Sequence, residues 1–122
     1  MKFGEYLRQK RLDNNIKSKT MAELLDISPA YLSSLENGSR QPPSYELLEK
    51  IAAILKLSTD ERYLLFDLAG ENKNPPEISK DLTEYIYKNP QIIKILRYAM
   101  KCNLSDREWL IIAKFVYRAY KY

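Results

Sequence analysis

The stretch Ser18 to Gly38, SKTMAELLDISPAYLSSLENG, constrains this chain more than any other. Met21, Ala22, Leu24 and Leu25 carry apolar weight at helical spacing, and Asp26-Ile27 breaks the pattern. Ser28-Pro29 restarts it. A serine hydroxyl accepts an orphan N–H of a helix's first turn, and proline suits the first helical position, where no intrahelical N–H is needed. Asn37-Gly38 closes the second helix with residues that tolerate a left-handed C-terminal conformation. The spacing therefore predicts two short helices, Ser18 to Leu25 and Pro29 to Asn37, joined by a tight turn.

That layout is a helix-turn-helix, whose second helix can enter a DNA major groove. Short helical hairpins also pack in many all-α cores, and it is the residue choices that separate the two readings. The run from Ile27 to Gly38, extended to IS-xx-YLS-xLENG-xR-xPP, closely resembles the motif of Xre-type repressors. These form the lambda-repressor-like family that includes phage repressor and Cro proteins. The similarity extends over roughly the first 70 residues and leaves the last third of the chain uncovered.

Taken in order, the chain reads as all-α. Phe3 to Asp13 is a first helix with Phe3, Leu7 and Tyr6 on one face, and Ile16 is the apolar residue before the second helix. Pro42-Pro43 stiffens the exit from the third helix, and Ser44 caps a fourth from Tyr45 to Lys56, with Leu47, Leu48, Ile51, Ile54 and Leu55 as its core stripe. Thr59 is expected to cap a fifth helix to Ala69, burying Leu64, Leu65 and Leu68, with Gly70 ending it. Five helices at these spacings match the fold that the resemblance implies. Residues 1–71 form this DNA-binding domain, and residues 72–77, NKNPPE, read as a hinge or linker. Residues 78–122 read as a helical extension of about three helices, Ile78 to Lys88, Gln91 to Lys101, and one opened by the Ser105–Glu108 capping box and running to Lys121.

Composition excludes several other classes. No apolar run approaches the ~18 residues of a membrane span, and MKFGEYLRQKR lacks a signal-peptide apolar region. A cytoplasmic protein is the default expectation. Cys102 is the only cysteine and there is no histidine, which removes the commonest metal ligand and the commonest general base near neutral pH. Only three glycines exist, with no phosphate-cradling or nucleophile-elbow motif. No enzyme activity, cofactor or metal is expected, and Cys102 reads as a structural thiol.

Charge is uneven along the chain. Residues 1–20 hold six basic and two acidic side chains, residues 21–76 hold five and nine, and residues 77–122 hold nine and five. A field that attracts DNA must then come mainly from the first segment plus Arg40. Leu32 and Leu35 point inward from the third helix, leaving Pro29, Ala30, Ser33 and Ser34 outside, and the resemblance implies that these four face base edges. Their chemistry is quiet: none is Arg, Lys, Asn or Gln, the residues that read guanine or adenine bidentately. Part of the specificity is therefore expected from DNA shape or from other segments.

By the same resemblance the loop of Asn37, Ser39, Arg40 and Gln41 lies along the phosphate backbone, with Arg40 the leading contact. Ser18 stands where the family often has a phosphate-touching glutamine, and Lys17 and Lys19 flank it beside a helix N-terminus that favours anions. Ser28 and Tyr31 complete the phosphate-facing set, Tyr31 combining packing with a hydroxyl contact. The resemblance also implies a structural ion pair between Arg11 and Glu36.

The tail collects aromatics, and Trp109, Ile112, Phe115, Val116 and Tyr120 share its last helix. Such a surface packs on the first domain or pairs with another molecule. Reading a palindrome needs two-fold symmetry, so the expected partners are double-stranded DNA and a second copy of the chain, with a protein or small effector on the tail as a further reading. The alternative is an adaptor, antirepressor or antitoxin that keeps the fold and binds a partner through the C-terminal helices.

Overall fold

The computed structural model describes residues 1–121 of the 122. Among them are eight helices and no strand: α1 (Phe3–Asp13), α2 (Ser18–Leu25), α3 (Pro29–Asn37), α4 (Tyr45–Ile54), α5 (Thr59–Glu71), α6 (Lys80–Lys88), α7 (Pro90–Cys102) and α8 (Asp106–Lys121). The chain divides into two compact units, Met1–Thr83 and Glu84 onward, and the division falls inside α6. No helix is long and apolar enough to cross a membrane among the described residues.

The first unit is built around one core. Phe3, Tyr6 and Leu7 of α1 meet Met21, Ala22 and Leu25 of α2, Leu32 and Leu35 of α3, and Leu48, Ile51 and Ala52 of α4. Leu65, Phe66, Leu68 and Ala69 of α5 complete it. Each fully buried Leu or Ile contributes about 1.5–3 kcal/mol relative to exposure, so the two short helices are held by this packing and not by propensity. Between them Asp26 adopts a left-handed conformation (φ 57°), and the Ile27 N–H donates to Ala22 O at 3.0 Å, which sets the tight turn.

Several element ends differ from the sequence reading. Ser58, not Thr59, caps α5: its hydroxyl accepts from the Glu61 N–H while the Glu61 carboxylate accepts from the Ser58 N–H at 2.9 Å. The capping box needs its acid three residues on, and Glu61 answers Ser58. α4 stops at Ile54, with Lys56 left-handed (φ 51°), and α6 begins at Lys80, leaving Ile78 outside it and exposed. Leu64 lies on the outer face of α5, 45% exposed, while Leu65 and Leu68 are buried.

Gly70 does not end α5. It lies within the last turn, where a Cβ would fall inside contact distance of the Glu77 main-chain oxygen. The Glu77 N–H in turn donates to Gly70 O at 3.0 Å, and Lys73 pairs with Glu77 at 3.2 Å. Residues 72–77 thus lie against α5 and belong to the first unit. Asn72 adds a tie to α1 by accepting the Phe3 N–H at 2.7 Å.

In the second unit Pro90 occupies the first turn of α7, and Asn103, left-handed at φ 54°, ends it with Leu104 N–H donating to Ala99 O. Ser105 and Glu108 form the reciprocal cap of α8 at 3.2 Å in each direction. Among the described residues of this unit Ala99 alone is buried.

Candidate nucleic-acid interface

Three pieces of the first unit carry the exposed residues singled out above. The first is the start of α2. Lys17 is its N-cap and offers no acceptor, so no side chain caps the first-turn N–H groups. Lys17 and Lys19 are exposed and Ser18 is half-buried. A helix start of this kind, flanked by two ammonium groups, attracts a phosphate.

The second piece is α3, which packs on both α1 and α2. Ser28 Oγ accepts the Tyr31 N–H at 3.0 Å, so its hydroxyl is engaged as a cap and retains its proton for an outside acceptor. Leu32 and Leu35 are buried, Pro29, Ala30 and Ser33 are exposed, and Ser34 is half-buried. Ser34 Oγ donates back to Ala30 O at 3.0 Å, which leaves its lone pairs, not its proton, facing outward. Ser33 makes no such bond and keeps both functions.

The third piece is the loop after α3. Gly38 (φ 81°) takes the left-handed position, Asn37 Oδ1 accepts the Ser39 N–H at 2.9 Å, and the Arg40 N–H donates to Ser34 O at 3.2 Å. Asn37, Ser39 and Arg40 are exposed. The Arg40 guanidinium lies 5.9 Å from the ring centre of Tyr31, whose body packs against the core. A cation–π contact in this range holds the charge near the ring without neutralising it.

Behind these pieces stands an ion pair. Arg11 Nε and Nη2 donate to the two Glu36 oxygens at 2.7 and 2.9 Å, and Nη1 donates to Ile16 O at 2.9 Å. Both side chains are 10% exposed. The bidentate bond to Glu36 raises the Arg11 pKa above its ordinary value despite burial. One guanidinium therefore fixes the end of α1, the approach to α2 and the last turn of α3.

A second ion pair, between Lys10 and Glu61, was not foreseen in the sequence. The Lys10 ammonium, then the Ser58 N–H and hydroxyl, hold the Glu61 carboxyl down at about 2. Tyr6 OH donates to Glu61 O at 3.2 Å, so this corner locks α1 to α5. Gly4 was also missed. A Cβ there would collide with the Leu35 and Glu36 main-chain oxygens, so α1 lies tight against the last turn of α3. Its only sequence signal is a glycine inside a helical pattern.

Trp109 and Ile112 of α8 are 40% exposed, and Phe115, Val116 and Tyr120 more so. These residues belong to the second unit.

Packed short helices, a left-handed turn at Asp26, a serine-capped second helix and a paired acid at its end define a helix-turn-helix protein. A helix-turn-helix family model matches residues 7–62. The HTH-type transcriptional regulator SinR of Bacillus subtilis (strain 168) is 33% identical over 107 residues, spanning 88% of this chain and 85% of that protein. The ImmF control region 10 kDa protein of Bacillus phage phi105 is 39% identical over 56 residues, spanning 46% of this chain and 61% of that protein, less than two thirds of its length. In fold, the chain is similar to a chain of the solved SinR protein/SinI protein complex, with a TM-score of 0.50 at 22% identity over 98% of this chain and 99% of that one. The chain belongs to the Xre-type helix-turn-helix transcriptional regulators.

Proposed function

We propose that this protein is a sequence-preferring DNA-binding regulator, acting as a repressor in the cytoplasm, that places α3 in the major groove as a homodimer. The observation that carries this reading is the uncharged outer face of α3, with Pro29, Ala30 and Ser33 exposed and Ser34 half-buried, in a unit that also carries the uncapped, lysine-flanked start of α2 and the exposed Arg40 loop. Small side chains let the helix sit deep in the groove. Lys17, Ser18, Lys19, Ser28, Tyr31, Asn37, Ser39 and Arg40 then contact phosphates, which position the protein without reading sequence. Ala30 touches a thymine methyl, and Ser33 donates to or accepts from a base edge.

In this reading the five helices of residues 1–71 form the lambda-repressor-like DNA-binding domain, and residues 78–122 supply the contact between copies. The support for the second part is the exposure of Trp109, Ile112, Phe115, Val116 and Tyr120 in a unit with almost no buried side chain of its own. Apolar surface of that kind belongs in an interface. A protein partner on the same helices is the second reading, favoured by the fold neighbour, which was solved as a complex of SinR protein with SinI protein.

Substitution separates the roles. Arg40→Ala should weaken binding to every duplex and flatten its salt dependence by about one phosphate per subunit. Ser33→Ala should instead change which duplex is preferred. An Arg40→Ala protein with unaltered affinity and salt slope would remove the loop from the interface.

A further inference from the structure

A cleft of about 340 Å³ opens beside the loop after α3, at the start of α1. Lys2, Asn37, Ser39, Arg40, Gln41 and Asn72 supply its polar lining, and no carboxylate lines it. That is unusual in this unit, whose residues 1–83 carry twelve basic and thirteen acidic side chains. Another cleft of the unit, between α4, α5 and residues 77–83, includes Glu77. Two nearby acids are accounted for. Glu36 is held bidentately by Arg11, and Glu5 accepts the Lys2 main-chain N–H at 3.2 Å without lining the cleft. Among the described residues neither Lys2 nor Arg40 has a carboxylate partner.

The position of Lys2 follows from Gly4. Because Gly4 admits the main-chain oxygens of Leu35 and Glu36 where a Cβ would stand, the start of α1 abuts the end of α3, and Lys2 shares the cleft with the Asn37–Gln41 loop. Asn72 pins that start by accepting the Phe3 N–H. A pocket with two unpaired cations, side-chain amides and a serine hydroxyl matches the charge and the many acceptor oxygens of a phosphate group.

We propose that this cleft receives a DNA phosphate of its own, with Lys2 as a contact residue additional to Arg40, so that the protein's hold on the backbone extends from the α3 loop onto α1. This rests on the DNA-binding reading above.

The test is the salt dependence of binding to a mixed-sequence duplex, followed by fluorescence anisotropy for the wild-type chain, Lys2→Gln, Arg40→Gln and Lys50→Gln. Lys50 is exposed on α4, outside the cleft, and serves as the matched loss of one charge. Lys2→Gln should lower the slope of log affinity against log salt by about one per bound subunit, as Arg40→Gln does, while Lys50→Gln leaves it unchanged. A wild-type slope in Lys2→Gln, or an equal drop in Lys50→Gln, would overturn the assignment while leaving DNA binding intact. No salt-dependent binding by the wild-type chain would overturn the DNA reading and this proposal together. Inorganic phosphate distinguishes the remaining source of the same chemistry. If it saturates the amide shifts of Gly38, Ser39 and Asn72 while the Lys2→Gln slope stays at the wild-type value, the cleft serves a free anion and the proposal fails.

Discussion

Arg11 shows what a single side chain can organise. Its three nitrogens each donate one hydrogen bond, two to Glu36 and one to Ile16 O, and removal of one partner leaves a charge in a site that is 10% exposed. Glu36→Ala should therefore destabilise the protein by about 3 kcal/mol, near the low end for breaking a buried pair. A joint Arg11→Met, Glu36→Leu change should recover much of that loss in urea titration, since apolar replacements of similar volume cost little. Gly4 makes the complementary point through sterics. Gly4→Ala must displace main-chain oxygens that cannot rotate away, and a loss of about 1–3 kcal/mol in the same titration is expected. The two residues differed in legibility for a physical reason. Arg11–Glu36 was readable because opposite charges stood at positions that the motif resemblance relates. Gly4 answers to backbone atoms some thirty residues away, and nothing beside it in the chain records that contact.

At the scale of elements, helix starts and stops were legible wherever local chemistry decides them. Ser28-Pro29, Asn37-Gly38, Ser44 and Ser105–Glu108 all sit where their capping chemistry predicts. Structure departs from these local signals where distant packing decides. Gly70 reads as a stop by itself, yet its lack of a side chain serves the approach of Glu77, and the helix runs through it. Leu64 is expected in the core beside Leu65 and Leu68, but only the latter two are buried. Glu61 joins capping to tertiary structure, and this has a pH signature. Its folded-state pKa is about 2 against an ordinary 4.5, so the unfolded chain takes up the proton first on acidification. The stabilisation is present above pH 4.5 and is lost as pH falls from there toward 2. Asp67 works in the opposite direction: burial, then Asp81 and Glu71, raise its pKa, so protonation relieves it. The comparison of wild type with Glu61→Gln isolates the first effect. Urea midpoints of the two should differ at neutral pH and converge toward pH 2. A constant difference across that range would mean that Glu61 acts by shape and not by charge.

The whole molecule pairs a unit with a continuous core and a unit without one. Hydrophobic periodicity predicted helices in both, because amphipathic spacing is local. What the exposed faces of α6, α7 and α8 meet is not local, and there sequence patterning stops. From Glu84 onward eight basic residues oppose three acidic ones, so pairing of two such units must be driven by apolar burial against charge repulsion. Phe115→Asp, at a position 74% exposed, should then shift the chain toward monomer in sedimentation velocity, and higher salt should favour association of the wild type. A monomeric wild type at every salt concentration would assign the tail to a different partner.

Reading of DNA by α3 is the claim at stake in this interface. Selection from random duplexes with the purified protein at low salt puts it to the test. An enriched site with two-fold symmetry is expected, its half-sites about 34–36 Å apart, the spacing of one helical turn between paired recognition helices. Its strongest preferences should fall at positions sensitive to Ser33 and Ala30. A library that emerges without any enriched sequence would contradict the claim and leave a helix-turn-helix that serves protein contacts alone.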